Sequence, residues 1–154
     1  MRKVPDSVAE FLGGKRFAVA GVSRDSRQVA NAIFRKLQQS GYDAVPVNPH
    51  AHELEGTQCY PNLAAIPGQI DGLVVATPPD VASNLVRQSA QCGIRRVWFH
   101  RSFGAGSVSD EALREAKTLG LQCIIGGCPL MYCEPVDTFH RCMRGWLQWR
   151  RRVP

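Results

Sequence analysis

The sequence predicts an α/β fold, a doubly wound open sheet of five parallel strands followed by a C-terminal helix. Three observations carry that expectation. Segments 16–21, 42–47, 70–77, 95–99 and 121–126 are short, rich in Val, Ile or aromatic residues, and read as strands. Their starts lie 26, 28, 25 and 26 residues apart, the length of one strand-helix unit. Helical periodicity fills three of the gaps, and strands this continuously apolar need a sheet covered on both faces and joined by right-handed crossovers. The expected strand order is 3-2-1-4-5.

The elements follow from local pattern. Segment 7–12 predicts a short leading helix. After the first strand, Val29, Ile33, Phe34 and Leu37 mark one face of a helix, with Asn31, Arg35, Lys36 and Gln38 on the other. Segment 48–69 holds Pro49, Gly56, Pro61, Pro67 and Gly68 and predicts mostly loop, with a short helix near 62–66. A second helix carries Val81, Ala82, Leu85, Val86 and Ala90, opened by Pro78, Pro79 and Asp80. A third carries Ala112, Leu113, Ala116 and Leu119, opened by Ser109, Asp110 and Glu111. Gly41, Gly93 and Gly120 follow these three helices as left-handed caps. In the tail, 135–152, residues Val136, Phe139, Met143, Trp146, Leu147 and Arg150 predict a final helix that ends in three arginines.

Composition narrows the class. With 154 residues, 44% hydrophobic and 21% charged, the chain reads as one globular domain, 1–154, rather than a disordered or fibrous segment. Apolar runs such as Leu73-Val74-Val75-Ala76 are far shorter than the ~20 residues of a membrane span. The basic start, Met1-Arg2-Lys3, leads into no apolar block of the kind a secretory signal needs, so the expected location is cytoplasmic. A net charge of +6 favours anionic partners. Six cysteines beside a full-sized core read as thiols rather than a disulfide framework. No metal site is expected, because Cys123, Cys128, Cys133, His140 and Cys142 lack the tight pairs of a zinc centre.

In an open parallel sheet a ligand sits beyond the carboxyl ends of the strands, at the point where the strand order reverses. These ends are Gly21-Val22-Ser23-Arg24, Asn48-Pro49-His50, Thr77-Pro78-Pro79, His100-Arg101-Ser102 and Gly126-Gly127-Cys128-Pro129. In the first, glycine permits close backbone approach, the following helix offers unpaired N–H groups to a phosphate, and Arg24 and Arg27 add charge. A dinucleotide fingerprint reads GxGxxG, with an acidic residue about 20 positions later. Here Gly21-Val22-Ser23-Arg24-Asp25-Ser26 lacks the second and third glycines, and Asn48 stands where that carboxylate belongs.

Gly21-Val22-Ser23, Val47-Asn48-Pro49, Thr77-Pro78-Pro79 and Cys128-Pro129, taken as an ordered set, resemble the CoA-binding domain proteins of bacteria. They are also similar to the N-terminal domain of the succinyl-CoA synthetase alpha subunit, over residues 15–131. The resemblance implies a Rossmann-like domain that holds coenzyme A or acyl-CoA. Its phosphates would lie near Ser23, Arg24, Asp25 and Ser26, with Asn48 and Pro49 at the adenosine end. Pro78 and the stretch His100, Arg101 and Ser102 would line the rest. Where relatives carry lysine near the Asn-Pro turn, this chain has His50-Ala51-His52. The synthetase's second domain, with its phosphorylated histidine, has no counterpart in these residues, which implies a binding module without catalytic residues of its own.

Other candidates rank lower. His50 and His52 with Glu53 lack the helical spacing of a zinc protease. His100 sits at a strand end facing the expected crevice. Cys128 would be a nucleophile only in an electropositive setting, and Ser23 lacks a nucleophile elbow around it. In the tail, Arg141, Arg144, Arg150, Arg151 and Arg152 interleave with Trp146 and Trp149, a nucleic-acid pattern. Packing of a Phe139, Met143 and Trp146 edge on the domain or on a second subunit ranks ahead of it and leaves a homodimer open. Rival functions are an NAD(P)-dependent oxidoreductase or redox sensor and a basic nucleic-acid-associated module.

Overall fold

The structure, a computed structural model, describes residues 4–101 and 106–153. In chain order the main elements are α1 (Asp6–Leu12), β1 (Arg16–Ala20), α2 (Val29–Gln39), β2 (Asp43–Val47), a small hairpin of β3 (Glu53–Leu54) and β4 (Thr57–Gln58), and β5 (Gly72–Val75). Then come α3 (Ala82–Gln91), β6 (Arg96–Phe99), α4 (Asp110–Thr118), β7 (Gln122–Ile125) and α5 (Thr138–Trp149). Short 3-10 turns cover Leu63–Ala65, Pro79–Val81 and Pro129–Met131.

The five long strands form one parallel sheet, as the apolar segments predict, but in the order β2-β1-β5-β6-β7. The third long strand therefore sits beside the first, giving 2-1-3-4-5 in place of the expected 3-2-1-4-5. Pro46 supplies the reason. Its carbonyl accepts from the Tyr60 amide at 3.1 Å, on the side of β2 away from β1. The missing N–H faces that same side, so β2 cannot take a full strand there and becomes an edge. Only the short Tyr60 segment bridges it.

Alternation along the strands divides the interior in two. Phe17, Val19, Val74 and Trp98 face α1, α2 and α5 with Phe11, Ile33, Phe34, Leu37 and Leu147. Ala18, Ala20, Leu73, Val75, Val97 and Phe99 face α3 and α4 with Leu85, Val86, Ala112 and Ala116. Phe11 stacks on Phe17 at 4.9 Å and meets Trp98 edge-on at 5.4 Å, while the buried Trp98 indole donates to the Gly126 carbonyl at 3.0 Å.

The helix boundaries follow their chemistry. Ser109 accepts from the Ala112 amide and caps α4, and Gly41, Gly93 and Gly120 end three helices at positive φ. Pro78, Pro79 and Asp80 open a 3-10 turn, and α3 begins only at Ala82, which leaves Val81 exposed. The tail forms α5 as expected, but not with the expected packing edge. Leu147 is buried and Met143 packs inward, whereas Phe139 and Trp146 face outward, because the helix axis turns positions 143 and 147 toward Met131 and Tyr132.

Gly21 joins β1 to the turn before α2 with φ +108°, and a Cβ there would lie 2.3 Å from the Ala76 carbonyl oxygen. Both the backbone angle and the close approach exclude a side chain. Gly21→Ala should lower stability by about 2–4 kcal/mol, read as a fall in urea midpoint; an unchanged midpoint would show that the strand ends can separate freely. Asp71 accepts from the Lys15 and Arg16 amides at 2.8 and 3.0 Å, and those bonds hold its carboxyl below the ordinary range. A depressed folded value means the stabilisation is present above the unfolded value and lost as pH falls through the folded one. Asp71→Asn should therefore destabilise at neutral pH and flatten the acid limb of the stability profile, as followed by circular dichroism.

Candidate functional site

With β5 beside β1, the chain order reverses between these two strands, and a cleft of about 310 Å³ opens at their carboxyl ends. Ala20 and Gly21 form its base, Val47, Asn48, Pro49 and Pro61 one side, and Thr77, Pro78, Val81, Asn84, Leu85 and Gln88 the other. Three prolines and three branched aliphatic residues dominate the walls. Few polar groups enter, as is usual for a site that takes a flat or aliphatic ligand part. Gln88 already accepts from the Leu63 amide at 3.1 Å, which fixes its side chain against the loop after β4.

The first turn, between β1 and α2, forms the rim and is wired internally. The Ser23 amide donates to Asn31 Oδ1 at 3.0 Å, and Asn31 Nδ2 donates to the Ser23 carbonyl and to Glu55 Oε1, both at 2.8 Å. Asn31 is fully buried, so these bonds satisfy it. Arg35 donates to the same Glu55 oxygen at 2.7 Å and to the Ser26 carbonyl at 3.0 Å. The Asp25 amide donates to Ser23 Oγ, and the Arg27 amide to Asp25 Oδ1. Several amides expected to face a phosphate thus have protein acceptors already.

Two contacts tie this turn to the β2 exit. Asn48 Nδ2 donates to the Val22 carbonyl at 2.9 Å, and Arg24 Nη2 donates to the His50 carbonyl at 2.9 Å. Arg27 instead pairs with Asp25 at 2.9 Å, and its guanidinium holds the Asp25 carboxyl below the usual carboxylate range. Arg24 is therefore the guanidinium at the rim that no carboxylate neutralises among the described contacts. α2 begins at Val29 without a side-chain cap, beside this turn.

Of the sequence-predicted residues, Gly21, Asn48, Pro49, Thr77 and Pro78 line the cleft. Val22, Ser23, Arg24 and His50 gather at its rim through these hydrogen bonds, while Asp25, Ser26 and Arg27 form the outer turn. Pro79 starts the exposed 3-10 turn beside Pro78. His100 and Arg101 are not among the cleft-lining residues, because β6 is the next strand out and Arg101 bridges to Gly127 past β7. Burial lowers the His100 pKa. Ser102 lies outside the described residues. In the sequence Val81 and Leu85 read only as helix core, and Pro61, Asn84 and Gln88 were missed. A proline between strand ends is the one signal that could have flagged Pro61.

Cys128 is buried, and burial pushes its thiol up to about 12, which disfavours the thiolate that a nucleophile needs. Among the described residues no group of three or more His, Cys, Asp or Glu side chains could hold a metal ion, and no helix is long and apolar enough to cross a membrane.

The alpha subunit of the ADP-forming acetate–CoA ligase II of Pyrococcus furiosus is 26% identical over 110 residues, which is 71% of this chain and 24% of that protein. The chain thus spans about a quarter of the length of that ligase subunit. The uncharacterized protein YneT of Bacillus subtilis is 26% identical over 114 residues and is covered over 82% of its length. A solved hypothetical protein from Pyrococcus horikoshii OT3 superposes with a TM-score of 0.73 at 28% identity, over 83% of this chain and 92% of that one. Residues 15–134, from the start of β1 past the β7 exit, match the CoA binding domain family, and the chain belongs to it.

Proposed function

We propose that the chain binds coenzyme A or an acyl-CoA noncovalently in the cleft at the β1 and β5 exits, as a binding module that does not transform the carrier by itself. The observation that carries this reading is the apolar cleft at the switch point in a chain of the CoA binding domain family. The flat and aliphatic parts of the carrier enter between Pro49, Pro61, Pro78, Val81 and Leu85. Its phosphates stay at the rim, where Arg24 and the uncapped start of α2 supply positive charge. The raised thiol of Cys128 supports binding rather than thiol chemistry. The same reading places the protein in the cytoplasm, where its carrier is found free.

Calorimetric titration with coenzyme A, dephospho-coenzyme A, NAD, NADP and a short oligonucleotide tests it. Coenzyme A should bind, and NADP binding with no response to coenzyme A would overturn the proposal. Arg24→Ala should weaken coenzyme A roughly tenfold, the loss of one charge-assisted hydrogen bond. Because the Arg24 contact with His50 is exposed, the same variant should melt close to the parent. Val81→Trp, at an exposed wall position, should block the cleft without disturbing the core.

Thiol reactivity gives a separate check on the same reading. Cys92 and Cys142 are exposed and should react at once with an aromatic disulfide reagent, whereas Cys59, Cys128 and Cys133 are buried and should react only on unfolding. Fast labelling of Cys128 in the native protein would instead revive a catalytic thiol.

A further inference from the structure

Glu55 is an unusual residue for the turn it occupies. Leu54 of β3 pairs with Thr57 of β4, so Glu55 and Gly56 form a two-residue hairpin loop, at φ 50° and 69°. A loop with both residues left-handed favours Asn, Asp or Gly at its first position and glycine at its second. Glutamate gains nothing there from the backbone, and its longer side chain reaches out of the turn. The hairpin does not need that reach to stay seated. Leu54 is buried in the core with Ile33, Phe34 and Leu37 of α2, and Gln38 Nε2 donates to Thr57 Oγ1 at 3.3 Å.

The carboxylate instead joins the two ends of the first turn. One oxygen, Oε1, accepts from Asn31 Nδ2 at 2.8 Å and from Arg35 Nη1 at 2.7 Å, donors one helical turn apart on α2. Each donor also grips the turn. Asn31 holds the Ser23 amide and carbonyl, and Arg35 reaches the Ser26 carbonyl through Nη1 at 3.0 Å and Nη2 at 3.1 Å. Arg24 therefore leaves the chain from a segment clamped on both sides. Asn31 is 0% exposed and the Glu55 side chain 16%, so water competes little for these bonds. Without Glu55, Asn31 keeps a buried N–H with no acceptor and Arg35 loses the anchor that aims it at Ser26.

Charge fits the same role. A carboxylate beside a rim that takes phosphates repels them unless a cation cancels it, and Arg35 does so at 2.7 Å. Arg24 keeps its charge, because its guanidinium donates to the His50 carbonyl rather than to a carboxylate. The Glu55 and Arg35 pair thus brings orientation to the rim and no net charge. We propose that Glu55 is a positioning residue for the phosphates of the carrier. Acting through Asn31 and Arg35, it fixes turn 23–26 in the shape that presents Arg24 and the start of α2, without touching the ligand itself. This inference rests on the reading that the phosphates of coenzyme A dock at that rim. A turn released from Glu55 has to be ordered by the ligand, and affinity falls by that cost.

Calorimetric titration of the full chain with coenzyme A, beside thermal melting of each variant, tests the role. Glu55→Ala should weaken coenzyme A about three- to tenfold. Glu55→Gln keeps an oxygen at the same reach and should recover most of that loss. Glu55→Asn suits the turn but is one methylene short, so it should melt no lower than Glu55→Ala and still bind as weakly. In the Glu55→Ala background, Arg24→Ala should cost clearly less than its roughly tenfold effect in the parent, because Arg24 is already out of place. Equal binding by Glu55→Ala and the parent overturns the inference and leaves the reading of the cleft standing. So does a Glu55→Gln variant no better than Glu55→Ala, or an Arg24 effect that is fully additive, the mark of a merely structural glutamate. A parent chain that gives no response to coenzyme A overturns the reading of the cleft, and this inference with it.

Discussion

The contact between the Gly21 Cα and the Ala76 carbonyl sets the geometry of everything above the sheet. β1 and β5 approach so closely at their exits that a Cβ would sit 2.3 Å from that oxygen. From this point the chain leaves in two directions, into α2 on one face of the sheet and toward α3 on the other. Diverging connections leave a gap that neither helix fills, which is the cleft. Apolar walls follow as well, since the residues flanking the gap are the last members of the core under α3, Val47 and Leu85 among them.

Preorganisation of the rim has a different source. Asn31, from within α2, and Glu55, from the tip of the β3 and β4 hairpin, hold the first turn by hydrogen bonds that need no ligand. Glu55 itself sits at φ 50°, so the hairpin tip accepts some backbone strain to present that carboxylate. A turn fixed in this way loses little entropy when a charged group docks on it. It also has fewer free amides to offer, which moves the burden of anion recognition onto Arg24 and the start of α2.

Much of the fold was legible because its signals are local. Strand spacing, most of the helical stripes 29–37 and 112–119, the Ser109 cap and the three glycine stops each depend on a few neighbouring residues and appear in the structure, except that Val29 and Leu119, at the ends of their stripes, are exposed and Leu119 lies just past the end of α4. Strand order depends on which edge of β2 stays open. That information was present in Pro46, a residue whose missing N–H marks an edge, but it went unread beside an otherwise apolar strand. Half of the cleft was hidden for the same reason. Strand ends can be read from sequence, but Val81, Asn84 and Gln88 join them only once β5 is known to lie next to β1. Periodicity likewise finds α5 yet cannot say which of two apolar faces the core takes, because Met143 and Trp146 differ by less than a turn.

The cleft and α5 lie on opposite sides of the sheet, and this bears on how they can act together. The cleft draws its walls from the core under α3, and α5 rests on the core of α1 and α2. Coupling between the sites would need an element that touches both. Among the described residues, α2 is such an element. Its first turn reaches the rim through Asn31, and its far end meets the α5 side where Lys36 donates to the Pro135 carbonyl and Ser40 Oγ donates to the Glu134 carbonyl at 2.9 Å. A rigid helix linking the two surfaces transmits little unless it has two resting positions. α2 thus ties the rim to the α5 side of the sheet, through Asn31 at one end and Lys36 and Ser40 at the other.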